Sequence, residues 1–105
     1  MPTTMIGGRP IDVNDEGFLT AYDQWDEDLG RVLAGYAGIP ELTEAHWQVL
    51  RFLRSDFPGR KETATLRRTA SVGGFEIKRL FELFPGKPAK KMSYIAGLPK
   101  PKGCV

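Results

Sequence analysis

Thr43-Glu44-Ala45-His46-Trp47-Gln48-Val49-Leu50-Arg51-Phe52-Leu53-Arg54-Ser55-Asp56-Phe57 is the stretch on which the fold turns. Trp47, Leu50, Leu53 and Phe57 recur at intervals of three and four, which puts them on one face of a helix. Val49 and Phe52 widen that face, and a helix apolar over so much of its circumference belongs at the centre of a fold. Thr43 is a good N-cap, because its hydroxyl can satisfy a free N–H of the first turn. Pro58-Gly59 is expected to end the helix.

The same periodicity continues outward. Upstream, Leu29, Val32, Leu33 and Tyr36 fall at i, i+3, i+4 and i+7, with Asp23 or Asp26 as cap and Gly38 and Pro40 as the stop. Before them, Thr3-Thr4-Met5-Ile6 and Pro10-Ile11-Asp12-Val13 flank Gly7-Gly8. This reads as a small hairpin, since glycine supplies the positive φ of a tight turn. Pro10 has no N–H to donate, so it is expected on an outer edge.

Downstream, Ala64 to Val72 reads as a short helix broken by Gly73-Gly74. Ile77, Leu80, Phe81 and Phe84 form another apolar face closed by Pro85-Gly86, and Lys87 to Ala96 reads as a last short helix. Gly97-Leu98-Pro99-Lys100-Pro101-Lys102-Gly103-Cys104-Val105 cannot continue it. The expected fold is mainly α, a small orthogonal helical bundle with a short N-terminal β-hairpin and an extended C-terminal arm. Its helical domain covers residues 1–96, with the hairpin at about residues 3–13. The arm, residues 97–105, is expected to be flexible and carries Cys104.

Composition narrows the function. At 105 residues and 41% hydrophobic the chain suits one domain with a modest core. No apolar run approaches the roughly 20 residues of a membrane helix. Met1 to Gly7 lacks the basic and apolar segments of a secretory signal, so the expectation is a cytoplasmic protein without a membrane partner. A single cysteine excludes an internal disulfide and a paired-cysteine zinc site, and His46 alone cannot complete a ligand set. No phosphate-binding glycine loop or Ser-His-Asp grouping is visible, and no cofactor is expected.

Charge is uneven along the chain. Residues 1–50 hold two basic against nine acidic side chains, and residues 51–105 hold thirteen against four. The basic half could meet an acidic partner, protein or nucleic acid, or the two halves could pair within the fold. Arg67, Arg68, Lys78 and Arg79 around Gly73-Gly74 suggest a helix-turn-helix, a weak signal for DNA binding. Lys87, Lys90, Lys91 and Arg79 read as a solvated face, or as groups that hold the arm's carboxylate terminus or guide an acidic partner. Trp25 and Trp47 read as packing residues, and His46 as a surface or satisfied polar residue.

The arm is where chemistry can reside. Pro99 and Pro101 stiffen it toward polyproline II and are expected to keep it off the body. Nine extended residues reach at most about 30 Å, enough to enter a partner's cleft. Gly103 removes bulk beside the Cys104 thiol. Lys100 and Lys102 favour its thiolate, and the nearby terminal carboxylate opposes them.

Ile95-Ala96-Gly97-Leu98-Pro99-Lys100-Pro101-Lys102-Gly103-Cys104-Val105 resembles the C-terminal signature of the DsrC/TusE family, the gamma subunits of dissimilatory sulfite reductase and the sulfur relay protein TusE. Leu83-Phe84-Pro85-Gly86-Lys87-Pro88-Ala89-Lys90 resembles a second family segment, although Lys87 stands where the family has glycine. Glu44-Ala45-His46-Trp47 and Asp15-Glu16-Gly17-Phe18-Leu19 resemble two more, in collinear order. Lys61 to Gly74 matches less well.

The resemblance implies a helical bundle with an N-terminal hairpin and a sulfur-carrying penultimate cysteine, here Cys104. It also implies that Ser93 occupies the position where reductase-coupled members carry a second cysteine. Serine cannot hold sulfane sulfur or resolve a Cys104 persulfide, so the single-cysteine pattern is similar to the relay branch. The leading expectation is therefore a sulfur carrier that takes a persulfide from a donor protein and passes it to an acceptor, for example toward tRNA thiolation. It would be a sulfurtransferase-type carrier without small-molecule catalysis of its own. The arm residues Gly97, Pro99, Lys100, Pro101, Lys102 and Gly103 would deliver or dock Cys104. One alternative is a gamma-type partner of dissimilatory sulfite reductase whose arm enters the enzyme's active site. The other is a non-catalytic regulator that binds nucleic acid.

Overall fold

The computed structural model describes residues 2–102. Two short strands, β1 (Thr3–Ile6) and β2 (Arg9–Asp12), pair antiparallel with Thr3 opposite Asp12 and Ile6 opposite Arg9. Gly7 and Gly8 close the hairpin at φ +58° and +79°, the left-handed pair such a turn demands. Five helices follow: α1 (Glu27–Tyr36), α2 (Glu44–Arg60), α3 (Leu66–Ser71), α4 (Ile77–Leu83) and α5 (Pro88–Ile95). The expected helical bundle with an N-terminal hairpin is what the chain forms.

Asp26 caps α1, its carboxylate accepting from the Leu29 N–H at 2.8 Å. At the start of α2, His46 Nδ1 accepts the Thr43 N–H at 3.0 Å. Its proton therefore sits on Nε2, which donates to the Leu83 carbonyl at 2.9 Å. His46 is buried and satisfied, and it links α2 to the end of α4.

The core forms two clusters. One gathers Val49, Leu50 and Leu53 of α2 with Leu80, Phe84, Met92 and Ile95. The other lies under the hairpin and gathers Ile6, Ile11, Leu29 and Leu33. Trp25 and Tyr94 pack against both.

Three details differ from expectation. Pro58-Gly59 does not end α2, which runs on to Arg60 and stops where Lys61 turns left-handed at φ +57°. A proline this near a C-terminus forfeits one hydrogen bond, and its fixed φ suits a helix. On α4 the buried face is Leu80 and Leu83, while Ile77 and Phe81 are 42% and 46% exposed. On α1, Tyr36 faces solvent, and the small residues Gly30 and Ala34 join Leu29 and Leu33 in the core.

Candidate functional site

The arm leaves α5 through a tightly bonded turn. Gly97 adopts φ +71° one residue past the Ala96 cap. The Gly97 N–H donates to the Tyr94 carbonyl at 3.1 Å, and the Leu98 N–H donates to the Ser93 carbonyl at 3.0 Å. This is the double-bonded Schellman ending, and Leu98, only 1% exposed, supplies its apolar contact.

Trp25 and Arg54 hold this turn from outside. Trp25 Nε1 donates to the Ile95 carbonyl at 2.8 Å. Arg54 donates to the Ala96 carbonyl at 3.0 Å and to the Tyr22 carbonyl at 2.9 Å, with its guanidinium 4.5 Å above the Trp25 ring. Burial, which penalises the charged form, holds the Arg54 guanidinium below its ordinary pKa. The close fit explains the glycine: a Cβ on Gly97 would stand 2.4 Å from Trp25 Cδ1.

Beyond the turn the arm runs along the body. Thr63 Oγ1 donates to the Pro99 carbonyl at 2.6 Å, and Pro101 is buried. Lys100 Nζ pairs with Glu16 at 3.1 Å, and Lys102 Nζ pairs with Glu62 at 3.2 Å. The Lys102 contact holds the Glu62 carboxyl below the usual glutamate range.

The expectation that two prolines keep the arm off the body is thus corrected for residues 97–102. Proline asks for no hydrogen bond from its nitrogen, so a single hydroxyl on the Pro99 carbonyl can seat this stretch. Both lysines are paired with carboxylates here. Gly103, Cys104 and Val105 lie outside the described residues, so the expected role of Val105's carboxylate has no placement either.

Ser93 is buried on α5, and its hydroxyl donates to the Ala89 and Lys90 carbonyls at 2.8 and 3.0 Å. The structure thus brings Ser93 together with the arm's root through the Ser93 carbonyl, which receives Leu98. Sequence reading missed Trp25, Arg54, Thr63, Glu16 and Glu62 as arm contacts. Arg54 alone gave a signal, as a charge set between Leu53 and Phe57 on a broadly apolar helix.

The α3–α4 pair lends no support to nucleic-acid recognition. Arg68 is committed to Asp56 at 2.7 Å, Arg79 pairs with Glu82, and the residues that α4 exposes include Ile77 and Phe81. Among the described residues, no group of His, Asp and Glu side chains is placed to hold a metal ion. No helix of the described chain is long and apolar enough to cross a membrane.

The model of the family described as "DsrC like protein" matches residues 5–105. A sulfurtransferase TusE from Yersinia pseudotuberculosis is 37% identical, over 93% of this chain and 96% of its own. The dissimilatory-type sulfite reductase gamma subunit of Nitratidesulfovibrio vulgaris is 32% identical, over 93% of each. Among solved structures, a chain in the crystal structure of dissimilatory sulfite reductase I superposes with a TM-score of 0.84 at 32% identity, covering 99% of this chain and 100% of its own.

Proposed function

This chain belongs to the DsrC-like family, and from that premise we propose that it is a sulfur carrier whose Cys104 accepts sulfane sulfur as a persulfide and hands it to a partner protein. In the loading step the Cys104 thiolate attacks the outer sulfur of a donor protein's persulfide. The donor's S–S bond breaks, its cysteine leaves as thiolate, and Cys104 becomes a persulfide with no net oxidation. A persulfide is more acidic than a thiol, so it is largely ionised at neutral pH and its outer sulfur is a ready nucleophile for the next transfer.

The observation that carries this reading is the pairing of one cysteine with a seated arm. Cys104 is the only thiol of the chain, and Lys102, two residues before it, makes the outermost contact between arm and body among the described residues. Two residues span about 7 Å, so a docked arm presents the thiol near the body while a released one carries it much further. Ser93 supports the relay version, because a buried hydroxyl bonded to two carbonyls can neither store sulfur nor resolve a persulfide.

The test is intact-protein mass spectrometry after incubation with a persulfidated sulfurtransferase. The wild type gains the mass of one sulfur atom, which reductant removes, and Cys104→Ala gains nothing. Equal gain by Cys104→Ala defeats the reading.

The likeness to a sulfite reductase gamma subunit favours a second reading, in which the arm docks into a reductase. With serine at position 93, that association would proceed without an intramolecular Cys–Cys product. Co-purification of this chain with a sirohaem enzyme would support it.

A further inference from the structure

Beside the arm's root, whose Gly97 N–H donates to the Tyr94 carbonyl, lies an open cleft of about 440 Å³ between α5, the end of α1 and the loop that carries Phe18. Its floor is apolar. Phe18 is 1% exposed and meets the half-buried Tyr94 ring edge-on at 5.6 Å, and Ala37 completes the surface. Burial pushes the Tyr94 phenol above its ordinary pKa, so the floor stays uncharged at neutral pH.

Lys87, Lys90 and Lys91 line the opposite side. Lys91 reaches over the cleft's glycine edge, its Nζ 4.0 Å from where a Cβ on Gly86 would stand. None of the three pairs with a carboxylate among the described residues. The cleft's single acid, Glu16, is already engaged by Lys100.

The placement of these lysines is electrostatically unfavourable twice over. They sit at i, i+3 and i+4, where helical side chains are neighbours and like charges repel. Lys87 is also the N-cap of α5, and Lys90 and Lys91 are its third and fourth residues, so all three lie at the positively polarised end, which has no acidic residue in its first turn and no side-chain cap. Charges arranged against both effects are stabilised by an anion from outside. The neighbouring apolar floor gives that anion a body to bury, and the volume is that of an ordinary small-ligand site.

We propose that the cleft formed by Phe18, Ala37 and Tyr94 on one side and Lys87, Lys90 and Lys91 on the other binds a small organic anion with an aromatic or branched apolar body. The lysines take its carboxylate or sulfonate, and the Phe18–Tyr94 pair takes its hydrocarbon. This binding is independent of Cys104 chemistry.

The probe is sodium 4-phenylbutyrate, titrated into the ¹⁵N-labelled full chain and followed by amide chemical shifts. Saturable shifts confined to residues around Phe18, Gly86 to Lys91 and Tyr94 are expected. The neutral amide of the same acid, and butyrate without the ring, bind at least tenfold more weakly, since each lacks one half of the match. Lys90→Gln/Lys91→Gln also weakens 4-phenylbutyrate at least tenfold while its thermal midpoint stays equal or rises, because like-charge repulsion is relieved. Cys104→Ser binds as the wild type does. Equal affinity for the neutral amide, or undiminished binding by the double variant, overturns the proposal, as do shifts scattered over the surface.

Discussion

Gly97 is the residue on which the arm's direction depends, for two separate reasons. Its φ of +71° is a conformation that side-chain-bearing residues rarely adopt, and its α-carbon lies against the Trp25 ring. Gly97→Ala is therefore expected to cost about 1–3 kcal/mol from the backbone alone, with further loss as Trp25 is displaced from its bond to Ile95. Urea denaturation measures the stability, and loss of the Trp25 indole N–H signal from its bonded position measures the displacement. A change below 0.5 kcal/mol, the size of an ordinary surface substitution, would mean that the turn tolerates a Cβ and is not close-packed. Asp56 shows the ionic side of the same scale. Its carboxylate takes two hydrogen bonds from Arg68, at 2.7 and 3.0 Å, which hold it below the usual aspartate range. A depressed carboxyl adds stability that is present above the unfolded-state pKa and lost as pH falls through the folded one. Asp56→Asn should thus lower the melting temperature at pH 7, and the gap to wild type should close in acid. A gap that stays constant down to pH 2 would show that the loss is one of packing and not of charge.

At the scale of elements, the pattern of apolar residues was a reliable guide to which segments are helical and a poorer guide to their faces. The centrality of α2 was legible because six apolar residues crowd its surface. The rotation of α4 was not. Ile77, Leu80, Phe81 and Phe84 satisfy a helical period, yet a seven-residue helix gives too few turns to distinguish that face from the one containing Leu83. Local chemistry also misled at Pro58, where the helix end was set by the left-handed Lys61 and not by the proline. The site shows the same division. Gly97 and the two prolines announced a change of direction, and the arm's composition singled out Cys104. The partners that seat the arm were invisible because Trp25, Arg54, Thr63, Glu16 and Glu62 come from segments 36 to 84 residues away in sequence for the bonds that matter most. No local rule links a threonine after α2 to a proline carbonyl after α5. His46 is the intermediate case: a surface position and a satisfied polar one were both open, the residue is buried and satisfied, and its span from the α2 cap to the Leu83 carbonyl was supplied by tertiary packing.

Over the whole molecule, the acidic first half and basic second half meet in part. Arg51 reaches Glu27 and Glu44, and Lys100 reaches Glu16, so some of the asymmetry is resolved within the fold. The arm is held by two kinds of contact in series. Its root is buried: Leu98 is in the core, and Gly97 lies under Trp25 and Arg54. Its outer part is held by the Thr63–Pro99 hydrogen bond, the buried Pro101 and two ion pairs, and the outermost of these among the described residues is the pair of Lys102, whose side chain is 85% exposed. Exposed pairs are screened once the Debye length shrinks to about 3 Å at 1 M salt, whereas burial of Leu98 is not weakened. Acid acts on the same contacts. The Glu62 carboxyl is held low by Lys102, so that pair persists above the unfolded-state pKa and disappears as pH falls through the folded value. The arm should therefore loosen from its outer end inward. In ¹⁵N relaxation measurements, Lys102 is expected to gain fast motion on going from 0.1 to 1 M sodium chloride, or into acid below the glutamate range, while Gly97 and Leu98 keep rigid-backbone order parameters. Loosening of Leu98 together with Lys102 would show one cooperative latch instead, and the thiol's reach would then be set at the root.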